Sequence, residues 1–424
     1  MTKINVRKRG SVYQYRFEIA SVDGKRKYKS QSGFKTQKEA FNAGAKAYTE
    51  YLNTGRSFKP SEISYSDYLD YWMKQHCEIN LQYRTITAYQ NIIKNHVKTK
   101  IGMYRLSTIT TATLQEFIND LYIQNSFSKN FLKNILKVLK SSFGYAADVA
   151  EFIKSNPALK VRLPKYDISE ESDPIHIFTK EEVDIILERF RNNHCVYYAF
   201  LTAYYTGLRL SEVFGLTWDD VDFDNKRIRV DRNIVKKNQA GGSKKRFIDG
   251  KAAEVWYFGP CKTKSSYRFV EIGDTLVNAL KKYKEEQEIF KEQYGDTYMK
   301  NYKKEVKNPY TNKPEIKILS AIAEIEVALP EANLVFVKNN GIYEGTDSVK
   351  YPFKVIHYEL GINCRFHDFR HTHATRSVEA GADIKAVSER LGHKNIQTTY
   401  ELYVKVTKEM KDTAVGKFEE YATT

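Results

Sequence analysis

The stretch that most constrains this chain is residues 366–403, FHDFRHTHATRSVEAGADIKAVSERLGHKNIQTTYELY. His367 and Arg370 stand three apart, so a helix carries them on one face. Ile384, Val387 and Leu391 then keep a helical period. Asp383 opens that period as an N-cap and Gly392 closes it as a C-cap. His393 follows the glycine directly. Tyr403 lies ten residues beyond His393, and Tyr400 competes with it at seven. A cationic, imidazole-rich pocket with a tyrosine brought to it suits binding and attack of a phosphodiester.

Charge agrees with such a partner. The 424 residues carry a net charge of +16 with a pI near 9.3. A surplus of that sign selects a polyanion, with nucleic acid foremost. Residues 1–59 hold 14 Lys or Arg against 4 Asp or Glu, so much of the surplus sits in the first seventh of the chain. The length suits two or three domains. Four cysteines, Cys77, Cys195, Cys261 and Cys364, lack C-x-x-C spacing and argue against a disulfide framework or a zinc site. There is no apolar run of membrane length and no apolar leader. A soluble cytoplasmic protein without membrane partners is expected.

Three modules follow from the patterning. In residues 1–59, Val12, Tyr13, Tyr15, Phe17 and Ile19 alternate with Arg16 and Glu18, as in a strand. Asp23-Gly24 marks a hairpin turn, with a further short strand over 27–33. Thr36 and Glu39 form a capping box that opens a helix to about Leu52. A small basic sheet of this kind suits insertion into a DNA groove. Arg7, Lys8, Arg9, Arg16, Lys25, Arg26 and Lys27 are the expected contacts, and the aromatics pack on the helix.

Residues 60–165 read as a four-helix unit after a linker at Pro60. The first helix starts at Tyr65, with Tyr68, Leu69, Trp72 and Met73 on one face. The others cover about 85–98, 110–124 and 128–148. Leu132, Ile135, Leu136, Leu139, Phe143 and Ala146 give the last helix its apolar stripe. Lys129, Lys133, Lys137 and Lys140 make a basic stripe on the same helix, with Lys133 and Lys137 as candidate DNA-backbone contacts.

Residues 175–420 mix helices and strands. Thr179 and Glu182 cap a helix to Arg191. An aromatic-rich helix over 196–206 ends at Gly207. Arg209 opens a short helix beside Glu212, an arginine–carboxylate arrangement that fits a phosphate clamp. Strands are expected over 226–230 and 267–272, the latter after the turn CKTKSS. A long charged helix covers 276–294. Residues 236–259 read as a polar insertion and 295–317 as an irregular Lys/Tyr-rich tract. There is no H-E-x-x-H and no carboxylate triad of the two-metal kind, which favours chemistry without metal or cofactor.

HDFRHTHAT, then SERLGH, then a tyrosine ten residues on resembles the catalytic region of the tyrosine recombinases, the phage-integrase family. TGLRLSE at 206–212 is similar to that family's first arginine motif. The order Arg, Lys, His-x-x-Arg, His, Tyr is the family's order, over roughly 178–407. The resemblance implies a multidomain α+β chain: an arm-type DNA-binding sheet with one helix (1–59), a helical core-binding domain (60–165) and a mainly helical mixed catalytic domain (175–420).

It also implies roles. Arg209 and Arg370 neutralise the scissile phosphate, with Glu212 supporting. His367 and His393 donate to the phosphate oxygens or take the tyrosine proton. Lys262, with Lys264 as alternative, protonates the leaving 5′ oxygen. Tyr403 is the nucleophile by register within the motif and forms a 3′-phosphotyrosine. Double-stranded DNA with core and arm sites, a homotetramer on that DNA and an excision factor are the implied partners. Lys405 stands where the family often has histidine and Phe369 where it usually has leucine; neither is a core catalytic position. A housekeeping resolvase and a catalytically silent DNA-binding regulator on the same scaffold are the rivals. The added N-terminal module speaks against the first. The full set of Arg209, Arg370, His393 and Tyr403 speaks against the second.

Overall fold

The alternating run at the start of the chain is split by Gly10, which adopts φ 61° and lets the chain double back. The resulting strands β1 (Asn5–Arg9), β2 (Val12–Val22) and β3 (Lys25–Phe34) form an antiparallel sheet in that order. The computed structural model describes residues 4–22, 25–52, 63–125, 127–165, 175–238, 247–248, 251–252, 254–261 and 264–406. They divide into two units, Met1–Ser172 and Asp173–Thr424. The Asp23-Gly24 turn lies outside the described residues.

Helix α1 (Gln37–Leu52) begins at the expected box, with the Glu39 amide donating to Thr36 Oγ1 at 3.2 Å. Tyr15 and Phe17 are buried against it, and Phe17 meets Tyr48 edge-on at 5.1 Å between ring centres. Register then sorts the basic residues. Arg7 pairs with Gln14, Arg9 with Val12 and Asn5 with Arg16, so Arg7, Arg9 and Arg16 occupy the face away from α1. Lys8 pairs with Tyr13 and belongs to the helix side, so the expected contact set is divided between two faces. Arg16 stacks on the exposed Tyr28 at 3.7 Å. The side chains of Lys25, Arg26 and Lys27 lie outside the described residues.

The four-helix unit forms with longer helices than expected. α2 runs Tyr65–Trp72 and continues through a π turn, Met73–Cys77, to Asn80. α3 runs Tyr83–Ile92 and passes through a matching π turn, Ile93–Val97, to Ile101. α4 is Thr111–Asn125 and α5 is Lys129–Asp148. Tyr65, Tyr68, Trp72, Ile135, Leu139 and Phe143 share one core. Ser142 serves both buried phenols, its hydroxyl 2.8 Å from Tyr65 Oη and its carbonyl accepting from Tyr68 Oη at 2.6 Å. Lys133 and Lys137 are exposed on the opposite side of α5.

In the second unit, α6 (Lys180–Arg189) and α7 (His194–Thr206) precede the short α8 (Leu210–Val213). Strands β4 (Val221–Asp222), β5 (Arg227–Val230) and β6 (Arg232–Asn238) follow, then the small hairpin β7 (Phe247–Ile248) and β8 (Lys251–Ala252). After β9 (Glu254–Pro260) and β10 (Arg268–Glu271) comes the long α9 (Asp274–Tyr294). Strands β11 (Met299–Lys307) and β12 (Pro314–Ile322) lead to α10 (Lys350–Tyr358), α11 (Phe366–Glu379), α12 (Ile384–Leu391) and α13 (Gln397–Val406). α7 is almost wholly buried: Ala199, Phe200 and Ala203 join Phe369 and Leu280 in one apolar cluster.

One expectation is corrected here. Residues 295–317 are not irregular. They form most of a β-hairpin that joins β9 and β6 in a four-stranded sheet ordered β11-β12-β9-β6. Of the expected insertion 236–259, residues 236–238 and 254–259 belong to β6 and β9, while 239–246, 249–250 and 253 lie outside the described residues. Lysines at Lys300, Lys303, Lys304, Lys307 and Lys317 interrupt the apolar alternation and hide the strands from a period count. Among the described residues no helix is long and apolar enough to cross a membrane.

Candidate active site

The site grows from where two helices stop. Gly207 ends α7 at φ 65°, and a Cβ there would stand 2.5 Å from Leu391 Cδ2 and 2.9 Å from His373 Cδ2. Only a residue without a side chain lets α7 and α12 meet this closely. Gly392 ends α12 at φ 69°, as its place after Leu391 predicts, and Asp383 caps the other end by accepting from the Ala386 amide at 2.9 Å.

The last carbonyls of a helix lack internal partners and carry partial negative charge. Here three arginines from three elements take three consecutive oxygens at the end of α12. Arg268 Nε donates to Arg390 O at 2.6 Å, Arg370 Nη2 to Leu391 O at 2.6 Å and Arg209 Nη2 to Gly392 O at 3.3 Å. Arg370 is 2% exposed and also donates to Gly207 O at 2.8 Å, which ties the two helix ends together. One carboxylate serves this cluster. Glu212, 3% exposed, accepts from Arg209 Nη1 at 2.6 Å and from Arg268 Nη2 at 3.1 Å.

The electrostatics follow. Burial, then Arg209 and Arg268, pull the Arg370 guanidinium down to about 9, with Glu212 opposing. It stays charged at neutral pH. Burial alone would raise the Glu212 carboxyl, but Arg268 and Arg209 outweigh it and hold it below its ordinary range. Three guanidinium groups against one carboxylate leave the cluster with a net positive charge, which an anion would offset.

The histidines are held neutral. Burial, with Arg370 and Arg209 nearby, takes His393 down to about 3. Its Nδ1 lies 2.8 Å from Thr399 Oγ1, and Thr399 is 1% exposed on α13. His367 opens α11 and reaches solvent; desolvation, Arg370 and Arg209 set its pKa below 6.5. His371 and His373, also on α11, are each lowered to about 4, first by burial. His373 Nδ1 is 2.9 Å from Tyr204 O, and its Nε2 meets Arg390 Nε at 3.1 Å. Arg390 further donates to Glu271 O at 2.8 Å and Tyr205 O at 3.1 Å, pinning α12 to β10 and α7.

Arg209, Glu212, Arg370 and His393 are thus brought together, with His367 on the helix that carries Arg370. Lys262 lies outside the described residues, and Lys264 belongs to a 3-10 turn, Lys264–Ser266, that touches Gly392. Tyr400 and Tyr403 both fall in α13. Tyr400 is 49% exposed, whereas Thr399 and Leu402 are buried. Tyr403 is one turn beyond Thr399, about 40° around the helix, and Tyr400 is about 100° from it. The side chain of Tyr403 lies outside the described residues.

Three members of the site escaped the sequence: Arg268, Arg390 and Thr399. The partners of the two arginines are mostly backbone oxygens far along the chain, which leave no trace in composition or spacing. Thr399 had a local signal, standing four residues before Tyr403 on one helix face. Among the described residues no group of three or more His, Cys, Asp or Glu side chains could hold a metal ion.

Known proteins carry the same arrangement of modules. The phage integrase family model matches residues 176–410, an N-terminal SAM-like domain of phage integrases matches 64–122, and an arm DNA-binding domain matches 5–50. A XerC-like tyrosine recombinase of Caldanaerobacter subterraneus is 29% identical over 389 residues, covering 90% of this chain and 89% of that protein. The ICEBs1 integrase of Bacillus subtilis is 25% identical over 375 residues, covering 87% and 86%. The fold is similar to the Tn1549 transposon integrase in complex with transposon right end DNA, with a TM-score of 0.59, 19% identity and coverage of 85% of this chain and all of that one. With the family model spanning more than half of the chain, from α6 through α13, this protein belongs to the phage integrase family of tyrosine recombinases.

Proposed function

We propose that this chain integrates and excises a mobile element by breaking and rejoining DNA strands through a 3′-phosphotyrosine. The observation that carries the proposal is that Arg209 and Arg370 meet at the end of α12, on Gly392 O and Leu391 O, with Arg209 held by the buried carboxylate of Glu212. A phosphodiester supplies the missing negative charge, and the charge that develops on its oxygens during attack strengthens the contact. That is transition-state stabilisation.

In the proposed step the Tyr403 Oη–P bond forms and the P–O5′ bond breaks. The phenolic proton passes to a neutral imidazole, His367 or His393, and the lysine at 262 or 264 gives its proton to the departing 5′ oxygen. Religation reverses each transfer, so the phosphodiester energy is kept and no divalent ion is needed. Arg209 and Arg370 hold the nonbridging oxygens, and Glu212 holds Arg209.

The modules take the bounds 1–59, 60–165 and 175–420. The first engages an arm site through Arg7, Arg9 and Arg16 on the sheet face away from α1. Lys133 and Lys137 face the backbone of the core site. Four copies assemble on that DNA in the cytoplasm, and an excision factor sets direction. Such an arm module favours a mobile element over a housekeeping resolvase.

The test is a nicked suicide duplex spanning the ends of the element. Tyr403→Phe should bind it as the wild type does yet form no covalent adduct, while Tyr400→Phe should still form one. An adduct from Tyr403→Phe would refute the assignment.

A further inference from the structure

Arg268 has no part in the chemistry proposed above, yet it is the most connected guanidinium in the cluster. It opens β10 with its side chain 7% exposed. Each of its nitrogens meets an acceptor from a different part of the fold. Nε donates to Arg390 O at 2.6 Å, in the last turn of α12 that leads to His393. Nη1 donates to Ser266 O at 3.0 Å, in the turn that follows Lys262 and contains Lys264. Nη2 donates to Glu212 Oε2 at 3.1 Å.

The turn is also packed into place. Ser266 is 1% exposed, and its carbonyl receives the buried Cys261 thiol at 3.7 Å. A Cβ on Gly392 would stand 2.8 Å from Ser265 O and 3.2 Å from Ser266 Cα. Arg268 therefore clamps the turn onto the end of α12 from one side while the glycine admits it from the other.

We infer that Arg268 is a positioning residue for the leaving-group step: it locks the 264–266 turn against residues 390–392, so that the lysine meets the departing 5′ oxygen. The inference rests on the reaction proposed above. The bonding around the cluster shows where loss of Arg268 would be felt. Without it, Glu212 loses one guanidinium but keeps Arg209 through both Nη1 and the main-chain N, Leu391 O keeps Arg370 and Gly392 O keeps Arg209. The carbonyls of Ser266 and Arg390 lose their guanidinium. The phosphate clamp survives, and the lysine turn loses its tie.

The experiment compares two nicked suicide duplexes, one with the natural oxygen and one with sulfur at the bridging 5′ position of the scissile phosphate. A thiolate leaves without a proton, so sulfur removes the need for the lysine but not for the arginines. Full-length Arg268→Ala and Arg268→Lys should cleave the oxygen substrate about 100-fold more slowly than wild type, the scale of an ångström-sized misplacement. Both should cleave the sulfur substrate at close to the wild-type rate. Arg209→Ala should stay slow on both. The sulfur-to-oxygen ratio is read within one protein, so partial unfolding, which scales both rates, does not imitate the effect. Arg268 variants that are slow on both substrates, or as fast as wild type on both, would overturn the inference. Failure of the wild type to form an adduct with either duplex would instead overturn the reaction itself.

Discussion

Glu212→Gln isolates the charge balance of the site. The side chain is 4% exposed and accepts from Arg209 Nη1, Arg209 N and Arg268 Nη2. Glutamine keeps the shape and one acceptor oxygen but removes the one negative charge among three guanidinium groups. It also turns an NH2 toward one arginine. Breaking a buried ion pair by removing one partner costs about 3–5 kcal/mol. The retained acceptor oxygen places this case at the low end, at about 3 kcal/mol. For a unit of this size each kcal/mol moves Tm by about 2–4 °C, so the transition of the second unit should fall by about 6–12 °C.

The same reasoning fixes a second readout. An anion bound in the vacated charge site at 100 times its Kd returns about 2.7 kcal/mol. Sulfate stabilises any fold through exclusion from its surface, so the informative quantity is the difference in sulfate response between variant and wild type. Thermal unfolding of the full chain across a sulfate series should show the gap narrowing. A fall of under about 2 °C, with parallel sulfate responses, would show that the arginines do not need Glu212 and would refute the charge argument.

Three further outcomes are expected. His371 and His373 sit at about 4 and His393 at about 3 in the folded chain, below the unfolded value near 6.5. Their contribution is therefore present in full above pH 6.5 and is lost as pH falls toward 4, at about 1–2 kcal/mol each by pH 5; a denaturant midpoint that stays flat from pH 7 to 5 would contradict this. Thr399→Val removes the hydroxyl partner of His393 Nδ1 and should slow strand cleavage about tenfold, near 1.4 kcal/mol, while DNA affinity holds; an unchanged single-turnover rate would show that His393 needs no such support. Arg7→Ala with Arg9→Ala should weaken arm-site binding and lower the slope of log affinity against log salt by about 2, whereas an unaltered slope would remove that sheet face from the interface.

The sequence made local chemistry legible and long-range bonding illegible. Asp383, Gly392 and Gly207 announce their helix ends because caps and left-handed glycines act within a turn of themselves. Arg209, Arg370 and His393 could be named because their motifs keep fixed spacings. Arg268 and Arg390 could not, since they bond main-chain oxygens such as Arg390 O, Ser266 O and Tyr205 O that any residue provides. The sheet of β11 and β12 was hidden for another reason. One strand reads MKNYKKEVK, in which only Asn301 and Tyr302 are buried and four lysines break the apolar alternation. The π turns in α2 and α3 left no signal, because an i→i+5 bond changes no side-chain preference strongly enough to read.

The four-stranded sheet carries a rule for how this region can change length. Its two hairpins run in opposite directions, because β9 meets β12 antiparallel with Phe258 opposite Ile316: the root of the first, Arg232 opposite Pro260 and one residue before Cys261, lies beside the turn end of the second, Lys307 opposite Pro314. The far ends of the two hairpins, Asn238 opposite Glu254 and Lys307 opposite Pro314, therefore lie at opposite ends of the sheet. Growth or shrinkage there must proceed one residue per strand, two at a time. A single added residue inside a strand inverts every side chain beyond it unless a bulge absorbs the step. The ribbon thus behaves as a telescoping extension whose joints are counted in pairs. Relatives with longer or shorter strands here should differ by even numbers of residues, and an odd difference should come with a bulge.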